Sequence, residues 1–110
     1  KLPFVEADCH SSFHLYIVQI NEIDAGLSRR QLFECLRARG IGVNVHYIPV
    51  HTQPYFQKLG FREGDFPVSE TYYSNAISLP IFPSLADSQH EYIVTTLKDL
   101  TNRKLEKFYD

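Results

Sequence analysis

The apolar positions of this chain switch between strand-like alternation and helical spacing, and the switches lay out a mixed order of elements. Phe13 to Ile20 is rich in β-branched and aromatic residues between Ser and Asn, and predicts a strand. Phe13, Leu15 and Ile17 share one face of it and Tyr16, Val18 and Ile20 the other, so both faces require cover. Ser28 and Gln31 form a capping-box pair, after which Leu32, Phe33 and Leu36 recur on one helical face until Gly40. Ile41 to Tyr47 alternates, with Ile41, Val43, Val45 and Tyr47 on one side, which predicts a second strand paired with the first. Pro49 ends it, and Thr52 with Pro54 opens a short helix through Phe56 and Leu59 to Gly60. Phe61 to Pro67 is a polar loop punctuated by Gly and Pro. Ser69 to Asn75 then predicts a short helix carrying Tyr72 and Tyr73, and Ala76 to Leu79 a third strand. Pro80 and Pro83 bracket an extended exit. Asp87 caps a final helix in which Ile93, Val94, Leu97 and Leu100 repeat, and Lys104 to Asp110 is expected to fray.

This order predicts an α/β (α+β) fold, a small three-stranded sheet with helices packed on it. Two helices undercover such a sheet, so one apolar face is expected to be made for another domain or subunit. The 110 residues make a single domain. The chain lacks Met and begins at Lys1, Leu2, Pro3, which leads us to expect a domain excised from a longer protein. Its formal charge of −2, with acids and bases interspersed, supports no nucleic-acid partner. No apolar run approaches the ~20 residues a membrane helix needs, and no leader pattern opens the chain, so the expectation is a cytoplasmic protein without a membrane partner. Cys9 and Cys35 are isolated in different elements, which indicates neither a disulfide framework nor a thiolate zinc site.

Chemistry concentrates in one place. Between His46 and Phe56 stand two imidazoles, two phenols and an amide, in a loop between a predicted strand and a predicted helix. Elsewhere the candidates fall away. Cys9, His10 and His14, and the pair His46 and His51, lack the spacings that make metal motifs specific. Cys35 lies among Phe33 and Leu36, an apolar setting for an inert thiol. No GxSxG elbow or Gly-rich phosphate loop is present, and the lysines lie on helix surfaces or termini instead of in an enclosed Schiff-base site. His51 precedes a helix start, where its imidazole could meet an anion near the first-turn amides; the alternative is a histidine that stabilises the turn. Of His46 and Tyr47, Tyr47 is expected to face the core with Val43 and Val45. Tyr55 and Phe56 are expected to plug a hydrophobic gap. Arg37 and Arg39 complement the carbonyls of their helix end.

Several clusters together carry a family resemblance. Gly40 and Ile41, then His46, Tyr47, Pro49, Val50, His51, Gln53, Pro54 and Tyr55, then Gly64 to Pro67, then Ile77 to Pro80 with Phe82 and Pro83, resemble the C-terminal segment of the DegT/DnrJ/StrS-type aminotransferases. The resemblance runs from Phe13 to Leu100 and is finest toward enzymes aminating UDP-4-keto sugars, such as those making pseudaminic acid or 4-amino-arabinose precursors. It implies the small C-terminal domain (1–110) of a fold-type I enzyme, with pyridoxal 5'-phosphate and its Schiff-base lysine in an absent large domain. It further implies transfer of an amino group from glutamate to a nucleotide-linked keto sugar, in a homodimer. No catalytic residue is expected in this chain. His51 is implied at the mouth of the substrate site, with His46, Tyr47 and Gln53 on its substrate-binding side, and no cofactor is expected to bind the chain alone. The competing expectation is an autonomous α/β module for ligand binding or dimerisation without chemistry.

Overall fold

The computed structural model describes residues 1–106, with side chains through residue 102. Strand β1 (Tyr16–Gln19) is followed by one helical turn, α1 (Glu22–Ala25), and by α2 (Arg29–Ala38). A 3₁₀ turn over Val50–Thr52 leads to α3 (Pro54–Lys58); α4 (Pro67–Asn75) then runs straight into β2 (Ala76–Leu79), and α5 spans Asp87–Glu106. Of the end expected to fray, residues 104–106 remain in α5 and 107–110 lie outside the described residues.

Helix α2 forms where its capping pair predicts it. Gln31 N–H donates to Ser28 Oγ at 3.2 Å and Ser28 N–H to Gln31 Oε1 at 2.8 Å, completing the reciprocal cap. Leu32 and Leu36 below it are fully buried. At its other end Gly40 adopts φ +75°, which lets Ile41 N–H return to Leu36 C=O at 3.0 Å and would strain any side chain. The Arg39 guanidinium donates to Cys35 C=O at 3.2 Å, so this arginine serves the helix end. Two local features differ from the sequence reading. Helix α1 was not foreseen; Asn21 Oδ1 accepts Ile23 N–H at 3.0 Å and starts it. Asp87 is the first helical residue of α5 and not its cap, because Gln89 Oε1 reaches back to Ala86 N–H at 3.0 Å.

The sheet has two strands among the described residues, not three. β1 and β2 pair antiparallel, with Tyr16 opposite Leu79 and Val18 opposite Ile77. The strand expected over 41–47 shrinks to one bridge, Asn44 opposite Ser78, and it joins β2 instead of the first strand. Local hydrogen bonds explain this. Asn44 exchanges both its bonds with Ser78, and the next amide of β2 on that side would come from Pro80, which has none. Val43 N–H turns back to Ile41 C=O at 3.0 Å and Val45 N–H is taken by Asn44 Oδ1 at 2.8 Å, so neither is left for a further strand. β2 therefore lies in the middle, flanked by β1 and by Asn44. Once the chain leaves the bridge, the alternation that would put Tyr47 beside Val43 fails: Val43 is 3% exposed and Tyr47 73%.

The core gathers Val18 and Ile77 from the sheet, Leu32 and Leu36 from α2, and Ile93 and Leu100 from α5. Beside it, a groove of about 540 Å³ between sheet and α5 is lined by Tyr16, Leu79, Val94 and Leu97. The radius of gyration is 16.4 Å, against about 13 Å for a compact domain of this length. Within residues 46–68, Tyr47, Tyr55, Leu59 and Val68 are exposed. The core expectation for Tyr55 therefore fails, because the short α3 packs on the 3₁₀ turn and not on the sheet; Phe56 is half-buried.

Truncating Leu36 to Ala should cost about 2–5 kcal/mol in urea unfolding. Glu34→Ala removes only an exposed ion pair with Arg30 (3.0 Å) and should cost about 0.5 kcal/mol or less. Equal costs would contradict the core assigned here.

Candidate functional site

The segment that projects from the core is built around one turn. Pro49 is buried and Pro54 opens α3, and Thr52 closes the chain between them by donating its N–H (3.0 Å) and its hydroxyl (2.8 Å) to Pro49 C=O. The inward residue of this turn is His51, 7% exposed. Its ring tilts against Phe66 with centroids 4.8 Å apart, and its Nε2 lies 2.6 Å from Glu70 Oε1. An ionised carboxylate only accepts, so the shared proton sits on His51.

Glu70, in the first turn of α4, collects further donors. Gly64 N–H lies 2.8 and 2.9 Å from its two carboxylate oxygens, and Phe66 N–H 3.4 Å from one of them. Gly64 holds φ +96°, a conformation that aims its amide at the carboxylate and that a side chain would strain. Partial burial pushes the Glu70 carboxyl up. The His51 hydrogen bond, the Gly64 and Phe66 amides, and the charge His51 carries when protonated outweigh that and hold it below the ordinary carboxylate range. Phe56, Phe61 and Phe66 continue the packing, with successive centroids 6.3 and 6.1 Å apart. Together with His51 they form a small, partly exposed aromatic cluster beside the strip Tyr47–Gln53.

The other end of the strip is held at the sheet. His46 Nδ1 lies 2.7 Å from Oγ of the buried Ser78, whose backbone carries the Asn44 bridge. Tyr47 stands edge-on to His46 with centroids 4.5 Å apart, and its own ring is open to solvent. Gln53 is exposed at the start of α3 and makes no side-chain cap.

The four residues singled out in the sequence therefore divide. His46 and His51 turn toward the body of the protein, Tyr47 and Gln53 toward solvent. It is His46, not Tyr47, that faces inward. The anion beside His51 comes from within the chain, as the carboxylate of Glu70. Sequence reasoning missed Glu70 and the ring of Phe66; the available signal was the recurrence of His51, Phe56, Phe61 and Phe66 five residues apart, with an acid one helical turn beyond. Among the described residues no three His, Cys, Asp or Glu side chains gather as a metal site, and no helix is long and apolar enough to cross a membrane. Cys9 and Cys35 are free thiols.

The chain as a whole has known relatives. The sequence model of the DegT/DnrJ/EryC1/StrS aminotransferases matches residues 2–98. The chain belongs to the DegT/DnrJ/EryC1/StrS aminotransferase family. The resemblance carried by His46 to Tyr55, Gly64 to Pro67 and Ile77 to Pro83 is thereby confirmed. Over 100 residues this family member is 39% identical to the spore coat polysaccharide biosynthesis protein SpsC of Bacillus subtilis (strain 168), covering 89% of this chain and 26% of SpsC. The crystal structure of S. venezuelae DesV in complex with ketimine intermediate matches with a TM-score of 0.81 at 30% identity, over 91% of this chain and 26% of DesV. Helicobacter pylori PseC, an aminotransferase involved in the biosynthesis of pseudoaminic acid, matches with a TM-score of 0.74 at 27% identity, over 84% and 24%. The chain thus spans about a quarter of the length of these relatives.

Because the Glu70 carboxyl is lowered in the folded state, its contribution to stability is fully present above the ordinary carboxylate range and is lost as pH falls through the lowered value. Thermal unfolding followed on descending below about pH 5 should show wild type losing stability more steeply than Glu70→Gln. Identical slopes would remove Glu70 as an ionised acceptor.

Proposed function

We propose that this family member is the C-terminal small domain (1–110) of a pyridoxal phosphate-dependent sugar aminotransferase, which covers the substrate while an amino group passes from glutamate to a nucleotide-linked keto sugar. A UDP-4-keto sugar is the favoured substrate, and a cytoplasmic homodimer the favoured assembly. The observation that carries this reading is the family match over residues 2–98, from one end of the core to the other. The apolar groove beside α5 and the exposed Leu2, Phe4 and Val68 add support, since apolar surface on this scale fits contact with further protein.

The residues suggest what the domain contributes. Tyr47 and Gln53 put a phenol and an amide on the exposed strip, groups that hydrogen-bond sugar hydroxyls and phosphate oxygens. His46, seated on Ser78, places a second imidazole at the same edge. His51 supports the strip from beneath, so its part in orienting the sugar runs through its neighbours. Pyridoxal phosphate, when bound, supplies the electron sink for moving the amino group. The described residues do not fit its anchoring: Lys1, Lys58 and Lys98 are all exposed, and none occupies an enclosed site where an amine would form a Schiff base. Cofactor binding and proton transfer are therefore assigned outside this chain.

Incubating the intact protein with glutamate and a UDP-4-keto sugar should yield the amino sugar and an equal amount of 2-oxoglutarate. Gln53→Ala should raise KM for the sugar about two- to tenfold, the worth of one hydrogen bond, with kcat changed by less than about twofold. Failure of the wild-type protein to aminate any nucleotide-linked keto sugar would overturn the reading.

A further inference from the structure

Glu70 lies outside every sequence cluster that carries the family resemblance, yet it ties together more of the projecting segment than any residue within them. Its carboxylate accepts from His51 Nε2 at 2.6 Å, from Gly64 N–H at 2.8 and 2.9 Å, and from Phe66 N–H at 3.4 Å. Its side chain is 20% exposed and that of His51 8%, so the pair sits under the surface strip and not upon it.

The two ends of this contact differ in how firmly they are held. Glu70 belongs to α4, which passes without a loop into β2, where Ala76 and Ile77 are fully buried. His51 belongs to a 3₁₀ turn whose Val50 is exposed and which is flanked by exposed Tyr47, Ile48 and Tyr55. Among the described residues two side-chain hydrogen bonds join this stretch to the α4–β2 segment: His46, just before the strip, to Ser78, and His51, within it, to Glu70. A strip pinned at two points has a defined place; one pinned at a single point can swing.

We propose that Glu70 is a positioning residue for the substrate strip, fixing Tyr47–Gln53 through His51 without itself touching the sugar. This rests on the functional reading above for what the strip faces. Both carboxylate oxygens are engaged by donors of its own chain, and a residue so occupied acts on the ligand through the groups it holds. Glutamine at position 70 keeps one acceptor oxygen, but it can turn an amide donor toward the donating Gly64 N–H, which loosens the clasp without deleting the side chain.

The test compares Glu70→Gln, His51→Phe and the double variant in the intact protein. Phenylalanine keeps a ring beside Phe66 and removes only the donor. Each single variant should raise KM for the UDP-4-keto sugar about three- to tenfold with kcat per bound cofactor within about twofold, and the double variant should be no worse than the poorer single one. Chymotryptic cleavage after Tyr47 and Tyr55 should accelerate in all three, while the melting curve keeps a single folding transition. Wild-type KM in both single variants, or additive effects in the double, would overturn the proposal. Should the wild-type protein transfer no amino group, the functional reading fails separately, and unchanged cleavage rates would then overturn the positioning role by themselves. If Glu70→Gln does not fold, His51→Phe decides the same question.

Discussion

The Glu70 carboxylate accepts from His51 at 2.6 Å and from the Gly64 amide at 2.8 and 2.9 Å, and through these bonds the packed half of the chain holds the projecting half in place. Besides them, the His46–Ser78 bond ties the start of this stretch to β2. The clasp also satisfies the chemistry of its own members. An imidazole that is 7% exposed needs a partner for its ring nitrogen, a half-buried carboxylate needs donors, and a loop glycine at φ +96° needs an acceptor for its amide. Glu70 meets the needs of His51 and Gly64, and those two together meet its own.

This arrangement explains why so small a domain can carry so much exposed apolar surface. The core cluster draws on α2, α5, the two strands and the neighbouring Ile20, Ile41 and Val43, and includes no residue of the strip. The strip in turn is stabilised by polar bonds and by the cluster of Phe56, Phe61 and Phe66, which leaves Tyr47, Val50 and Tyr55 directed outward. The chain spans about a quarter of the length of its relatives, and the strip is a surface that its own core and clasp hold in place.

Local signals in the sequence were readable where neighbours in the chain make the structure. Ser28 with Gln31 announced α2, Gly40 its end, and Ala76 to Leu79 coincides with β2 to the residue. The strand expected over 41–47 misled because alternation reports side-chain character and not what the backbone can bond: Pro80 has no amide to extend the pairing beyond Asn44–Ser78, and Val43 and Val45 use theirs locally. That same departure reversed the facing of His46 and Tyr47. The loop holding His51 was recognisable from its density of polar rings. Its partner was harder to see, since Glu70 lies nineteen residues away and is marked only by the recurrence of His51, Phe56, Phe61 and Phe66 that ends one helical turn before it.

Amide hydrogen exchange at Gly64 tests the clasp most directly, because this N–H sits in an exposed loop and its acceptor is the carboxylate in question. The account predicts slowed exchange at Gly64 in the native protein and loss of that protection in Glu70→Gln, with the amides of Leu36 and Ile77 unchanged. Free exchange at Gly64 in the native protein would contradict it.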